Sequence, residues 1–277
     1  MKIIDFHSHI YPDNIAVKGS QSICDFYGFK YRYSGSADAL LNEGKKAGIS
    51  NHVLMPVAIK PEHAAHINDF TASEVASHTE FYGFGTIHAD MEDITSEIDR
   101  IKRLGLKGIK IHPDTQAFSI DDKRLYPMYE AAAGNLPVMI HCGDPRYEYS
   151  RPEKLRRVLD DFPSLQVIGA HLGGWSMFDK AFEYLKDTSC YFDFSSCMMF
   201  IGKRETEKYI KRYGADRMLF GTDFPLWSPE KEVKRFLSLD LSDSEKESIA
   251  HINAEKLLKC REAAAAPPHS VNSDTKN

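Results

Sequence analysis

Two patterns of apolar and polar positions alternate along the chain. Short runs rich in Val, Ile and Phe give way to longer stretches in which apolar residues recur at helical spacing. The runs are Lys2–His9, His52–Val57, Phe81–Ile87, Gly108–His112, Val138–His141, Gln166–His171, Cys190–Ser195 and Met218–Asp223. Most are short and apolar throughout, as strands buried on both faces are. The stretches between them predict helices at Ser36–Ala47, Pro61–Ser77, Met91–Leu104, Asp121–Ala133, Pro152–Asp161, Ser176–Lys186, Lys203–Tyr213, Pro229–Leu237 and Ser242–Cys260. Ser36 can cap its helix, Pro61 suits a first turn, and Gly105, Gly134 and Gly214 follow helix ends. This alternation predicts right-handed βαβ units and a parallel sheet.

Such a sheet is either open and doubly wound or closed into a (β/α)8 TIM barrel. Residues suited to metal chemistry lie on both the first and the last strand, and an open sheet would hold those far apart. The barrel is therefore the expected fold, and 277 residues suit it. The expected organisation is one barrel domain over residues 1–261 and a disordered tail over 262–277, rich in Ala, Pro, Ser and Asn. The stretch Tyr11–Gly35 has no clear periodicity and carries Tyr11, Tyr27, Phe29, Tyr31 and Tyr33. A loop this long is either a lid or substrate wall at the catalytic face or a surface meander with aromatic packing.

Composition narrows the function classes. Hydrophobic residues make up 42% and charged residues 27%, ordinary for a soluble globular protein. The formal net charge of −5 leaves no basic excess to neutralise phosphates, so nucleic acid is not an expected partner. The five cysteines are scattered, with no CxxC pair, which argues against a disulfide framework or thiolate zinc site and fits a reducing compartment. No signal-peptide core or spanning helix is apparent, so a cytoplasmic protein without membrane contact is expected. The expected partner is a small-molecule substrate, with a homodimer allowed.

The candidate chemistry sits where barrel enzymes keep it, at the C-terminal ends of strands. The first strand ends Asp5-Phe6-His7-Ser8-His9, and alternation places His7 and His9 on one side. The fifth ends at His141-Cys142-Gly143, the sixth at Gly169-Ala170-His171, and the eighth at Gly221-Thr222-Asp223. Gly143, Gly169 and Gly221 each lie two positions from a candidate ligand, where a missing side chain makes room for an ion and substrate. Each residue alone has a bland structural explanation; their convergence does not. Imidazoles with one carboxylate suit one divalent ion, Zn²⁺ first, with Mn²⁺, Fe²⁺ or Co²⁺ as alternatives.

His7-Ser8-His9, Gly108-Ile109-Lys110-Ile111-His112-Pro113, His141-Cys142-Gly143, Gly169-Ala170-His171-Leu172-Gly173-Gly174 and Gly221-Thr222-Asp223-Phe224-Pro225 together resemble the amidohydrolase superfamily. They are most similar to its amidohydrolase-related branch, which includes the aminocarboxymuconate semialdehyde decarboxylases. The resemblance runs from residue 3 to about 258 and implies His7, His9, His141 and Asp223 as metal ligands. It also implies that Asp223 takes a proton from metal-bound water and that His171 orients water or substrate. A strand-four lysine such as Lys110 is carboxylated in binuclear members; the context here resembles the mononuclear branch, so one ion is expected.

Two reactions follow. A divalent ion lowers the pKa of bound water from ~15.7 toward ~7, and Asp223 and His171 then serve hydrolysis of an amide, ester or lactone. The alternative is non-oxidative decarboxylation of an unsaturated or aromatic acid, with His171 helping to deliver the proton. Decarboxylases of this branch tend to carry large insertions; this chain is compact, which places the metal-dependent hydrolase first. An idle scaffold would be expected to have lost a ligand. Substrate contacts are expected from His112, Arg146, Arg151 and Trp175, with Tyr147, Tyr149 and Trp227 nearby. The arginines suit a carboxylate, unless they pair with Asp144 and Glu148 instead.

Overall fold

The structure, a computed structural model, describes residues 1–259. The predicted 262–277 tail and the last residue of the predicted terminal helix, Cys260, lie outside the described residues. The strands are β1 (Ile4–Ser8), β2 (Asn51–Leu54), β3 (Phe81–Gly83), β4 (Gly85–Thr86), β5 (Ile109–Ile111), β6 (Val138–Ile140), β7 (Val167–Gly169), β8 (Tyr191–Asp193) and β9 (Met218–Leu219). Every pairing between them is parallel.

β3 and β4 are the two halves of the predicted strand Phe81–Ile87. The Phe84 N–H donates to Leu54 O at 3.0 Å, and the Gly85 N–H donates to Gly108 O at 2.8 Å. One chain segment therefore joins β1–β2–β3 to β4 through β9. At the other edge Phe6 donates to Phe220 O (2.8 Å), Asp223 to His7 O (2.7 Å) and His9 to Phe224 O (2.7 Å). These bonds close the ring, and the fold is a (β/α)8 barrel. Ile4, Phe6, Val53, Phe84, Met139, Ile168 and Leu219, drawn from staves all around it, form one buried cluster that fills the interior.

The connecting helices are α1 (Ala16–Tyr27), α2 (Ala37–Ala47), α3 (Ala64–Ser77), α4 (Ile94–Arg103), α5 (Pro113–Gln116), α6 (Tyr126–Ala132), α7 (Pro152–Asp161), α8 (Phe178–Leu185), α9 (Met198–Tyr213), α10 (Pro229–Leu237), α11 (Asp243–Glu247) and α12 (Asn253–Lys259). The first lies inside the stretch that sequence periodicity left irregular. Gly28, at φ 71°, ends it in the left-handed conformation, and its small residues Ala16, Ser20 and Cys24 are buried. No membrane-crossing helix is present: among the described residues none is long and apolar enough.

The register of β1 on β2 slips between Asp5 and Ser8, a bulge of one residue. Strict alternation would send Phe6 and His7 to opposite faces. With the bulge Phe6 stays in the interior cluster while the His7 ring also turns inward, to the cavity at the barrel mouth. The Asp5 carboxylate, fully buried, fixes this geometry. Its Oδ1 accepts from Thr222 N (2.8 Å) and His7 N (3.2 Å), and its Oδ2 from the Ser8 (2.6 Å) and Thr222 (2.6 Å) hydroxyls. His52 Nδ1 stands 3.2 Å from the same Oδ2.

Asp5→Asn turns an acceptor into an amide that faces donors it cannot satisfy. The expected loss is about 2–3 kcal/mol, seen as a lower urea midpoint with unchanged slope. A midpoint equal to that of the parent would show that barrel closure does not depend on this carboxylate.

Candidate metal centre and substrate cavity

The C-terminal mouth of the barrel holds a cavity of about 650 Å³, within the range of small-molecule sites. On its floor stand His7, His9 and Asp223. Their ligand atoms form a triangle: Nε2 to Nε2 is 3.1 Å, and Asp223 Oδ1 lies 3.6 Å from His7 Nε2 and 3.3 Å from His9 Nε2. Such edges match adjacent ligands roughly 2.0–2.2 Å from one ion.

The outer atoms of these rings show which nitrogens face the ion. His7 Nδ1 donates to Asp193 Oδ2 at 2.9 Å, and His9 Nδ1 donates to Met55 O at 2.6 Å. Both Nε2 atoms therefore carry lone pairs, turned toward each other and toward a carboxylate oxygen. Three acceptors converging this closely call for a cation between them, so the residues fit a divalent ion. Burial, with Lys110 nearby, holds His7 at about 4, keeping it the neutral imidazole that a metal needs.

Asp223 is aimed by its neighbours. The Ser196 hydroxyl donates to Oδ2, and the Trp227 indole N–H donates to Ser196 Oγ at 2.7 Å, leaving Oδ1 for the triangle. His171, Ser196 and Asp223 all have left-handed backbones (φ 56°, 54° and 57°) and all line the cavity. Non-glycine residues in that conformation carry strain of about 1–3 kcal/mol each, typical of functional sites.

A hub absent from the sequence-derived candidates connects these groups. Asp193 Oδ1 accepts from the Ser195 hydroxyl at 2.7 Å, and Ser195 Oγ lies 3.2 Å from His7 Nδ1 and 3.1 Å from His171 Nδ1. Burial raises the Asp193 pKa, but hydrogen bonds from His7 and Ser195 favour its carboxylate and lower it. His171 Nδ1 donates to Ser195 O at 2.9 Å, so Nε2 is the atom left for chemistry. The alternation of Asp193 and Ser195 at a strand end was the available signal, the same one that marks His7 and His9.

His141 is placed differently from the other expected ligands. It groups with His112 and Asp114 rather than with the triangle. Its Nε2 lies 3.3 Å from the Tyr27 phenol oxygen and 3.7 Å from Asp114 Oδ2, and its ring stacks on His112 at 3.8 Å. The Nε2 atom can pair with the Tyr27 hydroxyl or bind an ion, not both. Burial holds His112 and His141 well below the ordinary histidine range. Burial also raises Asp114 to about 7; its Oδ2 accepts from Ser150 while its Oδ1 is buried with no partner.

Lys110 is fully buried, with Nζ 3.5 Å from His7 Nε2, and burial pulls it down to about 8. Trp175 lines the cavity and meets Tyr27 edge-on, ring centroids 6.0 Å apart. The two arginines do not reach it. Arg146 forks onto Asp144 and donates to Phe26 O, and Arg151 pairs with Glu148. Among the described residues lining the cavity there is no Arg or Lys. The glycines also divide: a Cβ on Gly221 would meet His7 Cβ at 2.8 Å, beside the triangle. One on Gly143 would meet Gly174 Cα at 2.5 Å, so that glycine makes room for backbone and not for an ion.

The roof of the cavity is α1. Gly19, Ser22, Ile23, Phe26 and Tyr27 line it at helical spacing. Tyr27 reaches furthest in, its oxygen 2.8 Å from His112 Nε2. The spacing was visible in the sequence, but Gly19 and the mixture of polar and aromatic residues obscured it.

Comparison with known proteins agrees with this architecture. Over 253 residues the chain is 25% identical to gamma-resorcylate decarboxylase of Polaromonas sp. (strain JS666), covering 72% of this chain and 76% of that protein. An uncharacterised TIM-barrel protein of Bordetella bronchiseptica superposes with a TM-score of 0.78 at 25% identity, covering 95% of this chain and 100% of that one. A dihydroxybenzoic acid decarboxylase from Polaromonas sp. JS666, solved with manganese and 2-nitroresorcinol, superposes at 0.71 with 18% identity, covering 93% and 97%. The model of the family described as Amidohydrolase matches residues 4–260, nearly the whole barrel, and the chain therefore belongs to the amidohydrolase family of metal-site enzymes.

Proposed function

We propose that this enzyme decarboxylates a small aromatic acid without an oxidant, using one divalent ion held by His7, His9 and Asp223. The observation that carries the reading is the pairing of this triangle with a cavity lined by no Arg or Lys. An anionic substrate entering it meets no lining Arg or Lys, so its charge would be met at the floor, by the ion and by Lys110 behind His7. The decarboxylase relatives favour this reaction over the hydrolysis that the compact chain suggests. The manganese in one of them favours Mn²⁺ over Zn²⁺, and two imidazoles with one carboxylate leave positions open for substrate oxygens.

When bound, the ion supplies the positive charge that holds and orients the carboxylate end of the substrate. The chain does the rest. His171, its Nδ1–H fixed on Ser195 O, moves a proton at Nε2 to the ring carbon that bears the carboxylate. The bond to the carboxylate carbon then breaks, its electron pair restores the aromatic ring, and CO₂ leaves. Phe26, Phe29 and Trp175 wall the cavity with aromatic surface suited to an aromatic ring. His141 remains a proposed fourth ligand, available when its lone pair is not taken by Tyr27.

Elemental analysis of chelator-free protein should find about one transition metal per chain, and His9→Ala should lose it. Two tightly held ions bridged through a carboxylated Lys110 would sink the one-ion reading. With Mn²⁺ present, a panel of hydroxylated benzoic acids should release CO₂, while esters and anilides of the same rings should stay intact; the opposite outcome would restore hydrolysis. His171→Asn should keep the metal but lower turnover by ~10²-fold or more. An empty site in that variant would make His171 a ligand instead.

A further inference from the structure

Tyr11 stands in a slot built from two glycines, Gly19 in α1 and Gly35 just before α2. A Cβ on Gly19 would meet Tyr11 Cδ1 at 2.7 Å, and one on Gly35 would meet Tyr11 Cδ2 at 2.8 Å. The two edges of the ring are therefore gripped from opposite sides. The backbone is tied at the same place. The Tyr11 N–H donates to Gly35 O at 2.8 Å, the Gly35 N–H donates to Ser20 Oγ at 2.7 Å, and the Ser20 hydroxyl donates to Ala16 O at 2.7 Å. Gly19 lies within α1, where a glycine weakens the helix. The Tyr11 ring occupies the space that its missing side chain leaves.

The hydroxyl at the end of this fixed ring has a different standing from the other deep phenols. Tyr27 is paired with His112, Tyr129 donates to Ile120 O, and Tyr213 donates to Leu172 O. Among the described residues the Tyr11 oxygen makes no hydrogen bond. A largely buried phenol ordinarily finds a partner, and a phenylalanine would fill the glycine slot equally well. Packing thus accounts for the ring and not for the oxygen. His7, His9 and Tyr11, alternate residues of one segment, all line the cavity. Burial, then the Asp223 carboxylate, push the Tyr11 phenol above its ordinary value, so the hydroxyl keeps its hydrogen and senses the charge on the cavity floor.

We propose that the Tyr11 hydroxyl donates a hydrogen bond to the carboxylate of the bound acid. The inference rests on the aromatic-acid reading above and adds a substrate contact to it. The cavity lining gives a carboxylate no Arg or Lys, the Ser196 hydroxyl is committed to Asp223, and the Thr115 hydroxyl to His112 O. A carboxylate that has shed its water on entering keeps lone pairs to satisfy, and an O–H already fixed in place supplies one donor at little cost in ordering. This bond belongs to the bound acid, because the carboxylate charge is lost as CO₂ leaves. Tyr11 therefore serves capture of the acid and not breaking of its bond.

The test is calorimetric binding of benzoate, and of toluene as the same ring without oxygens, to the manganese-loaded protein. Tyr11→Phe keeps the ring in its slot and removes only the donor. Benzoate should bind that variant about tenfold more weakly or worse, with toluene within about twofold of the parent and the manganese content unchanged. Benzoate binding that is unaltered by Tyr11→Phe overturns the proposal. So does an equal loss for benzoate and toluene, which would make the residue a packing element, or a loss of manganese, which would make it act through the ion. A parent protein that does not prefer benzoate to toluene sinks the acid reading and the Tyr11 contact with it. A preference that Tyr11→Phe keeps in full sinks the contact alone.

Discussion

The carboxylate of Asp5 holds this molecule's first and last staves together. It accepts from backbone and hydroxyl groups on both sides of the seam, from His7 and Ser8 on one strand and from Thr222 on the other. Removed from water and satisfied by several donors, it sets the phase of the β1 bulge. The bulge turns His7 inward without displacing Phe6 from the barrel interior. The same seam carries the Asp223 N–H to His7 O. The positions of the candidate ligands are thus consequences of how the ring is closed: His7 and His9 sit two and four residues beyond Asp5, and Asp223 sits one beyond Thr222.

Around this floor the site divides its electrostatic work. Asp193 and Ser195 fix the outer nitrogens of His7 and His171, and Ser196 and Trp227 fix the outer oxygen of Asp223. Each inner atom is left free and aimed. The left-handed backbones at His171, Ser196 and Asp223 show that this aiming is held against local strain. The cavity above is apolar and aromatic, which strengthens every charge interaction at its floor.

Much of the fold was legible because the chain's apolar runs are short, alternate with helices and carry clear stops. The helix α1 was not, since a glycine lies in its middle and its inner stripe mixes Ser22 and Tyr27 with Ile23 and Phe26. At the site, position at strand ends singled out His7, His9 and Asp223, which the fold brings into one triangle. It could not show where the His141 lone pair points, because that depends on Tyr27, distant in sequence. Arg146 and Arg151 looked like substrate clamps from their place after a strand. Their partners Asp144 and Glu148 are close in sequence, and these nearby carboxylates hold both guanidinium groups. Asp5 gave no sign of its importance, since one acid in a strand looks the same whether it meets solvent or a seam.

Because the triangle draws on residue 7 and residue 223, the proposed metal site cannot form on a chain that stops short of residue 223. A ribosome releases His7 and His9 early, when the stave that completes their coordination has not yet been made. Those two imidazoles alone would offer an ion only two of the three proposed ligands. If the proposed site holds an ion, its selection would therefore belong to the finished barrel, when the last stave brings the carboxylate of Asp223. For the cell this would move the choice of metal from the nascent chain to the place where folding is completed.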